Sequence, residues 1–285
     1  MSLLLDEIAI ATARLADAGV ESPRTDAEVI AARLHGVPRS QLHLVPDAGF
    51  DPRFWDEIAR REAREPLQHI TGVAYFRYLE LAVGPGVFVP RPETEVMTGW
   101  AIEQLAAMDV AEPVVADLGT GSGAIALAIA QEVPRARVHA VEADPLAVTW
   151  VQRNIASVAR AAPHTAGRVT LHQDDFRSAL PDLDGAVDLV VSNPPYIPLG
   201  ASVPPEVGEY DPATALWGGA DGMDAVRVIA ATAARLLRPG GLVAVEHGAP
   251  QGPAVYWVFA DAGWQDPRNH ADLAGRDRFV TARRP

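Results

Sequence analysis

Val114-Val115-Ala116-Asp117-Leu118-Gly119-Thr120-Gly121-Ser122-Gly123 decides the fold. A short apolar run ends in a glycine-rich turn, and a helical stretch from Ala124 to Glu132 follows, stopped by Pro134. Glycines let the backbone turn tightly and approach a ligand closely. The spacing is G-x-G-x-G. The dinucleotide fingerprint sets its third glycine one residue later, with a pyrophosphate on the helix N-terminus. Asp117 is a second departure, because a carboxylate at the strand end repels a pyrophosphate. It suits a ligand carrying an ammonium and a sulfonium, and S-adenosylmethionine is the ligand indicated. A turn that binds nothing is the plain alternative.

Working outward, strand and helix alternate. Val138–Val141 is the next strand and ends at Glu142, placed to accept hydrogen bonds from ribose hydroxyls. Asp144-Pro145 caps a helix through about Ala159. Val169–His172 and Val187–Ser192 are further strands. A helix over Ala225–Leu237, a turn at Arg238–Gly241 and a strand over Leu242–Glu246 follow. A helix near Pro250–Ala262 and strands near Trp264–Ala271 and Arg278–Ala282 complete the pattern. This alternation predicts an α/β fold, Rossmann-like, with a mostly parallel seven-stranded sheet covered by helices on both faces. Ala161–Gly167 reads as a mobile loop.

Two strand ends carry further chemistry. The third strand runs into Asp175-Phe176, where a carboxylate can accept from an adenine amino group and an aromatic ring can lie on a purine. The fourth ends in Asn193-Pro194-Pro195-Tyr196. Two prolines cannot continue a ladder, so they set a rigid turn at the carboxyl end of the sheet, where α/β folds bind ligands. A planar NH2 group fits there. The Asn193 side-chain carbonyl and the Pro194 backbone carbonyl can each accept one N–H, and the Tyr196 ring can stack on the plane. Catalysis would then be orientation and electrostatics.

Composition narrows the chemistry. The chain has 285 residues, 37 acidic against 24 basic, for a net charge of −13, and no cysteine. All its basic residues are arginine. Disulfides, Cys-ligated zinc, Fe–S clusters and thiol nucleophiles are excluded. So are a Schiff-base lysine and a P-loop lysine. No metal is expected. The 48% hydrophobic fraction supports one large domain, or a large and a small one. No apolar run reaches the roughly 18–20 residues of a membrane span. The stretch Met1–Glu7 lacks a basic region and reads as no secretory signal, so a cytoplasmic location is expected. The acidic balance argues against phosphate-backbone binding.

The first 75 residues read as helical. Leu4, Leu5, Ile8, Ala11 and Leu15 share a face, with Gly19 as a stop. A second helix begins near Pro23–Asp26 and ends at Gly36, and a third opens with Asp51-Pro52 as N-cap and first turn. The module carries 12 acidic residues against 8 arginines and no motif of its own. It reads as a packing or substrate-docking domain. Gly72–Val83, a turn at Gly84-Pro85-Gly86 and Val87–Val89 read as a β-hairpin. The loop Pro90–Glu95 and a helix to about Met108 follow.

Taken together, Asp117–Gly123, Glu142, Asp175-Phe176 and Asn193–Tyr196 resemble a class I methyltransferase acting on amino nitrogen. Glu65–Gly72, Val89–Glu95, and Leu242–Gly248 with Glu246-His247-Gly248, resemble the HemK family of release factor N5-glutamine methyltransferases. The resemblance covers nearly the whole chain. It implies a small N-terminal helical substrate-docking domain (1–71), a hairpin linker (72–90) and a methyltransferase domain (91–285). It implies methylation of the glutamine in the Gly-Gly-Gln loop of bacterial peptide chain release factors, with S-adenosylhomocysteine as product. It carries over Asp117, Gly119, Thr120, Gly121, Ser122, Gly123, Glu142, Asp175, Phe176 and Asn193 as cofactor contacts. Asn193, Pro194, Pro195 and Tyr196 become the substrate clamp, with Asn193, Pro194 and Tyr196 catalytic. Many relatives have Asp where this chain has Glu142, and Trp where it has Phe176; both changes keep the chemistry. Thr94 or Glu95 is expected near the adenosyl group, and Arg91 is a candidate pin for the hairpin. A monomer is expected, touching neither nucleic acid nor membrane. The rivals are a ribosomal protein glutamine methyltransferase, an adenine-N6 nucleic-acid methyltransferase working on a flipped base, and a nucleotide-binding module without catalysis.

Overall fold

The computed structural model describes residues 3–46 and 50–285, so Met1 and Ser2, where the reading of the amino terminus begins, lie outside the described residues. Two compact units form. One comprises the chain up to Val73 together with Val203–Asp211; the other comprises Ala74–Ser202 and Pro212–Pro285. No helix among the described residues is long and apolar enough to cross a membrane.

The first unit is built from α1 (Leu3–Asp17), α2 (Pro23–His35), α3 (Arg53–Glu62) and α4 (Leu67–Thr71). The 3.6-residue period puts Leu4, Ile8, Ala11 and Leu15 on one buried face of α1, against Ala27, Ile30, Ala31, Phe54 and Ile58. Full burial of such side chains contributes about 1.5–3 kcal/mol each. α2 has Pro23 in its first turn and stops at Gly36, whose φ of 63° suits a left-handed C-cap. α3 starts one residue later than the sequence suggests, at Arg53, whose N–H donates to the Asp51 carboxylate at 2.9 Å.

The returning segment Val203–Asp211 carries the single helical turn α8 (Pro205–Gly208) and brings in a carboxylate. Glu206 accepts from both guanidinium nitrogens of a forked contact with Arg64, at 2.6 and 2.7 Å, and from Arg61 at 3.0 Å. Arg61 is buried and also donates to Asp26 at 2.8 Å. The Tyr210 hydroxyl donates to the Ala63 carbonyl at 2.8 Å. Buried charge persists only when paired and hydrogen-bonded, and here two carboxylates meet Arg61.

The second unit opens within β1 (Val73–Phe76), at Ala74, and β1 pairs with β2 (Leu79–Ala82) as a two-stranded sheet. Both lie inside the stretch read from sequence as one strand, so the hairpin turn falls at Arg77-Tyr78, not at Gly84–Gly86. Arg77 adopts φ 51°, and its bonds hold that conformation: its N–H donates to Glu95, its guanidinium to both oxygens of Glu132 and to the Glu95 carbonyl. Gly84 instead lets the Trp150 ring approach where a Cβ would stand, at 2.6 Å. Val83, Val87 and Val89 bury with Ala74 and Ala147.

The main sheet has the order β5-β4-β3-β6-β7-β9-β8. Its strands are β3 (Val114–Leu118), β4 (Arg137–Glu142), β5 (Val169–Gln173), β6 (Val187–Ser192), β7 (Leu237–Glu246), β8 (Gln265–Ala271) and β9 (Asp277–Arg283). Neighbours are parallel except β9, which runs antiparallel to both β7 and β8. Helices α5 (Pro92–Ala107), α6 (Ala124–Glu132), α7 (Pro145–Ala161), α9 (Ala213–Leu216), α10 (Asp224–Leu236) and α11 (Gly252–Asp261) complete the unit. Strand residues alternate faces. Val115, Leu189, Val191, Leu242 and Ala244 join the α5 and α6 side, whereas Ala116, Leu118, Val190, Val243 and Val245 join the α10 and α11 side. Covering both faces explains why these strands read as continuous apolar runs.

Two local readings change. Val187 pairs with Leu237 and Leu189 with Leu242, so the turn-like Arg238–Gly241 bulges within β7 and does not precede it. The stretch Ala161–Gly167 contains a 3-10 turn at Pro163–Thr165, with Thr165 buried and its hydroxyl donating to the Ala162 carbonyl.

Candidate active site

Parallel strands β3 and β6 are neighbours, and each ends in one of the two motifs. The Ser192 hydroxyl, fully buried, donates to the Leu118 carbonyl at 2.6 Å and ties the two strand ends together. The glycine-rich turn and the Asn-Pro-Pro-Tyr turn therefore open side by side at the carboxyl end of the sheet.

Positive φ at Gly119 (76°), Gly121 (57°) and Gly123 (85°) is what the turn demands. The three glycines differ in role. A Cβ on Gly119 or Gly121 meets nothing within 4 Å, so both border open space. One on Gly123 would stand 2.8 Å from Val151, so that glycine serves helix packing. Four backbone N–H groups of the turn are committed, three of them to β4. Gly119 and Thr120 both donate to the Val141 carbonyl at 2.9 Å, Gly123 to the Thr120 carbonyl at 2.9 Å, and Gly121 to Glu142 at 2.8 Å. Phosphate sites present free N–H groups to the anion. These four donors are spent within the protein, which disfavours a pyrophosphate.

Asp117 is fully buried. Its Oδ2 accepts from the Thr120 hydroxyl at 2.6 Å and the Ala126 N–H at 3.1 Å, and its Oδ1 has no partner. Desolvation pushes its carboxyl up to about 7, against those two hydrogen bonds and with a further push from Glu142. A cationic donor is the group such an oxygen lacks. Glu142 accepts from Gly121 and, at 2.9 Å, from the Asp144 N–H, so it holds the turn as well as facing it. Each carboxylate oxygen keeps a second lone pair for a ligand hydroxyl. Ser122 is buried, and its carbonyl accepts from Asn154 at 2.9 Å. Asn154 also exchanges two hydrogen bonds with Ala82, so one buried amide links the glycine turn, α7 and the hairpin.

Asp175 is exposed, its carboxylate accepting the Arg177 N–H at 2.9 Å. Phe176 packs partly buried against the cluster containing Leu118 and Val141. The Asp174 N–H donates to the Glu142 carbonyl at 3.1 Å, which brings this turn beside the end of β4.

At the other turn, Pro194 is buried and Asn193, Pro195 and Tyr196 are half-buried. Asn193 Nδ2 donates to the Thr94 hydroxyl at 3.1 Å, which donates to Glu246 Oε2 at 2.7 Å. The Tyr196 hydroxyl donates to Glu246 Oε1 at 3.3 Å. Glu246 is 1% exposed, and desolvation pushes its carboxyl up to about 7 despite Thr94, Arg278 and Tyr196. Burial also pushes the Tyr196 phenol well up, so it stays protonated. The stretch Pro90–Glu95, read from sequence as a loop, enters α5 at Pro92, and its residues divide their duties. Thr94 reaches the clamp and Glu95 the hairpin turn, and Arg91 lies over the Phe88 ring at 5.0 Å.

Sequence reasoning missed three supports of this turn. Gln251 donates to the Tyr196 carbonyl at 2.9 Å while accepting the Gly248 N–H at 2.8 Å, and a Cβ on Gly248 would crowd that amide oxygen at 3.0 Å. A Cβ on Gly218 would stand 2.5 Å from the Pro195 carbonyl, and one on Gly222 2.2 Å from the Tyr196 carbonyl. The dense glycines of Gly218, Gly219 and Gly222 were the available signal.

Known proteins align with this organisation. Residues 8–72 match the family described as PrmC N-terminal domain, and residues 80–203 match the methyltransferase small domain. A release factor glutamine methyltransferase of Streptomyces coelicolor is 62% identical, spanning 100% of this chain and 99% of its own. One from Mycolicibacterium smegmatis is 48% identical over the same shares. A 4-amino-L-phenylalanine/4-methylamino-L-phenylalanine methyltransferase of Streptomyces pristinaespiralis is 42% identical over 91% of this chain and 87% of its own.

Proposed function

The chain belongs to the release factor glutamine methyltransferase family, and from that premise we propose that it methylates the side-chain amide nitrogen, N5, of the glutamine in the Gly-Gly-Gln loop of bacterial peptide chain release factors. The observation that carries the reading is the pairing of the two motifs at the carboxyl ends of two adjacent central strands, pinned by Ser192 on Leu118.

The residues present fit S-adenosylmethionine. The unpartnered Asp117 Oδ1 suits its ammonium, and the open faces of Gly119 and Gly121 leave room for its chain. Thr120 and Ser122 shape the turn, and Glu142 has lone pairs for ribose hydroxyls. Asp175 is available to the adenine amino group and Phe176 to the purine face. When bound, this cofactor supplies a methyl group on a sulfonium, whose leaving group is a neutral thioether. The protein's own work is orientation. An amide nitrogen is a weak nucleophile because its lone pair is delocalised. Asn193 Oδ1 and the Pro194 carbonyl each accept one amide hydrogen, Tyr196 lies against the amide plane, and Pro195 keeps the turn rigid. No thiol or amine of the enzyme is needed. In this reading the N-terminal helical unit grips the release factor, and the enzyme works in the cytoplasm on a protein substrate.

The test is to incubate the protein with labelled S-adenosylmethionine and, separately, a release factor, ribosomal proteins, duplex DNA and 4-amino-L-phenylalanine. Label is expected on the release factor glutamine; label only on any of the others overturns the reading. Asn193→Ala is expected to lower turnover by on the order of 10²–10³, the range for removing one transition-state hydrogen-bonding group, with cofactor binding by calorimetry largely intact.

A further inference from the structure

The two polar side chains of the clamp end on one buried carboxylate. Tyr196 reaches Glu246 directly, and Asn193 reaches it through Thr94. Proton counting then restricts the arrangement. An ionised carboxylate accepts only. The Thr94 hydroxyl has one proton, and at 2.7 Å from Glu246 Oε2 that proton is committed. Toward Asn193, Thr94 has only lone pairs to offer. It must therefore meet the Asn193 NH2 group, and the carbonyl oxygen Oδ1 is the atom left to accept. A flipped carboxamide would set Asn193 Oδ1 about 3.1 Å from the Thr94 hydroxyl oxygen with no proton between them, and would offer the substrate amide a donor where it needs an acceptor.

We propose that Thr94 and Glu246 are positioning residues that fix the polarity of the Asn193 carboxamide and so present its Oδ1 to the substrate amide. The proposal rests on the assignment of Asn193 to the clamp. It gives Glu246 a role without contact to the reacting atoms. It also explains why a carboxylate is retained where burial is complete: it is the terminal acceptor of both chains. Thr94 itself is held by the first turn of α5, where the Thr98 hydroxyl donates to its carbonyl at 2.9 Å.

The relay works in one ionisation state. Protonated, Glu246 can donate to Thr94, which frees the Thr94 proton to turn toward Asn193 and favours the flipped amide. The charged and titratable groups around Glu246 are Arg278 on β9, Tyr196 and Glu93 at the start of α5; Arg278 favours the carboxylate and Glu93 opposes it. Turnover at saturating cofactor is therefore expected to rise with pH as Glu246 ionises.

Thr94→Val keeps the side-chain shape and removes the relay. It is expected to lower kcat at least about tenfold, with cofactor affinity by calorimetry and melting temperature near wild type, and Thr94→Ser is expected to restore most of the rate. Hydrogen exchange of the Asn193 side-chain amide, read by nitrogen-15 NMR, is expected to speed up in Thr94→Val and not in Thr94→Ser. Should Thr94→Val not fold, Glu246→Gln serves: it is isosteric, can donate to Thr94, and is expected to lose turnover and the pH dependence together. Wild-type turnover in Thr94→Val or Glu246→Gln, or equal impairment of Thr94→Val and Thr94→Ser, overturns the relay. If Asn193→Ala itself turns over normally, the clamp assignment fails instead, so the two failures are distinguishable.

Discussion

Replacing Asp117 by asparagine keeps the outline of a fully buried side chain and removes its charge. The remaining carbonyl oxygen still accepts from Thr120 and Ala126, as Oδ2 does now. Burial holds the folded carboxyl at about 7, against 3.8 in the unfolded chain. Between those values the folded protein binds more protons than the unfolded one, so stability from this group falls as pH rises. At pH 5 the mismatch costs roughly 1.2 pH units of proton free energy, about 1.6 kcal/mol; at pH 8 it approaches the full difference, about 4 kcal/mol. Asparagine does not titrate. The stability of Asp117→Asn relative to wild type is therefore expected to grow by about 2–3 kcal/mol from pH 5 to pH 8. Urea unfolding of both proteins at each pH, followed by tryptophan fluorescence, measures it. All other titrating groups, including Glu246 and the histidines, are shared and cancel, as does any fixed loss from the new amide. A difference constant to within about 0.5 kcal/mol across that range would show that Asp117 is ionised as readily when folded as when unfolded, and would refute the desolvation argument.

Asn154→Leu removes one buried amide and strands the Ala82 N–H, the Ala82 carbonyl and the Ser122 carbonyl; a loss of about 3–5 kcal/mol in unfolding free energy is expected, and an effect below about 1 kcal/mol would mean that water or backbone movement replaces those bonds. Gly222→Ala drives a Cβ to 2.2 Å from the Tyr196 carbonyl at φ 75°, so the turn must move; kcat is expected to fall far more than cofactor affinity, and equal falls would place the damage elsewhere. Glu142→Ala is expected to weaken cofactor binding by about 2–4 kcal/mol, because it removes a charged acceptor and releases the Gly121 and Asp144 N–H groups; titration calorimetry showing unchanged affinity would remove Glu142 from the site.

Much of the second unit was legible in the amino-acid sequence because its signals are local. β3, α6 and β6 begin and end where apolar runs meet glycine or proline. The hairpin was misread because its turn has no turn residues: Arg77 takes a positive φ held by Glu95 and Glu132, distant in sequence. The same limit applies to the site. Asn193 and Tyr196 announce themselves through the prolines between them, and Gly119 to Gly123 through their spacing. Gln251 and Asn154 carry no such mark, and Thr94, singled out with Glu95 for the adenosyl group, gives no sign of its tie to Asn193 and Glu246. Each is an ordinary polar residue whose meaning comes from partners 55, 72 and 99 positions away. Gly123 carries a second meaning that spacing does not show: the place of its missing Cβ is crowded by Val151.

The passage of Val203–Asp211 into the helical unit bears on how this protein is cut into pieces. On paper the first 72 residues look excisable, bounded by a glycine. Expressed alone, they would carry Arg61 and Arg64 into a fragment from which Glu206 had been removed, along with the hydroxyl that caps the Ala63 carbonyl. Arg61 keeps Asp26, and losing the part-buried forked bond of Arg64 costs about 1.5–3 kcal/mol, a sizeable share of what a unit this size has in reserve. Modularity here is a property of three dimensions and not of the chain: a faithful excision must splice residues 203–211 back in, and a domain transplanted without them strips Arg64 of its forked carboxylate and leaves Arg61 with the Asp26 carboxylate alone.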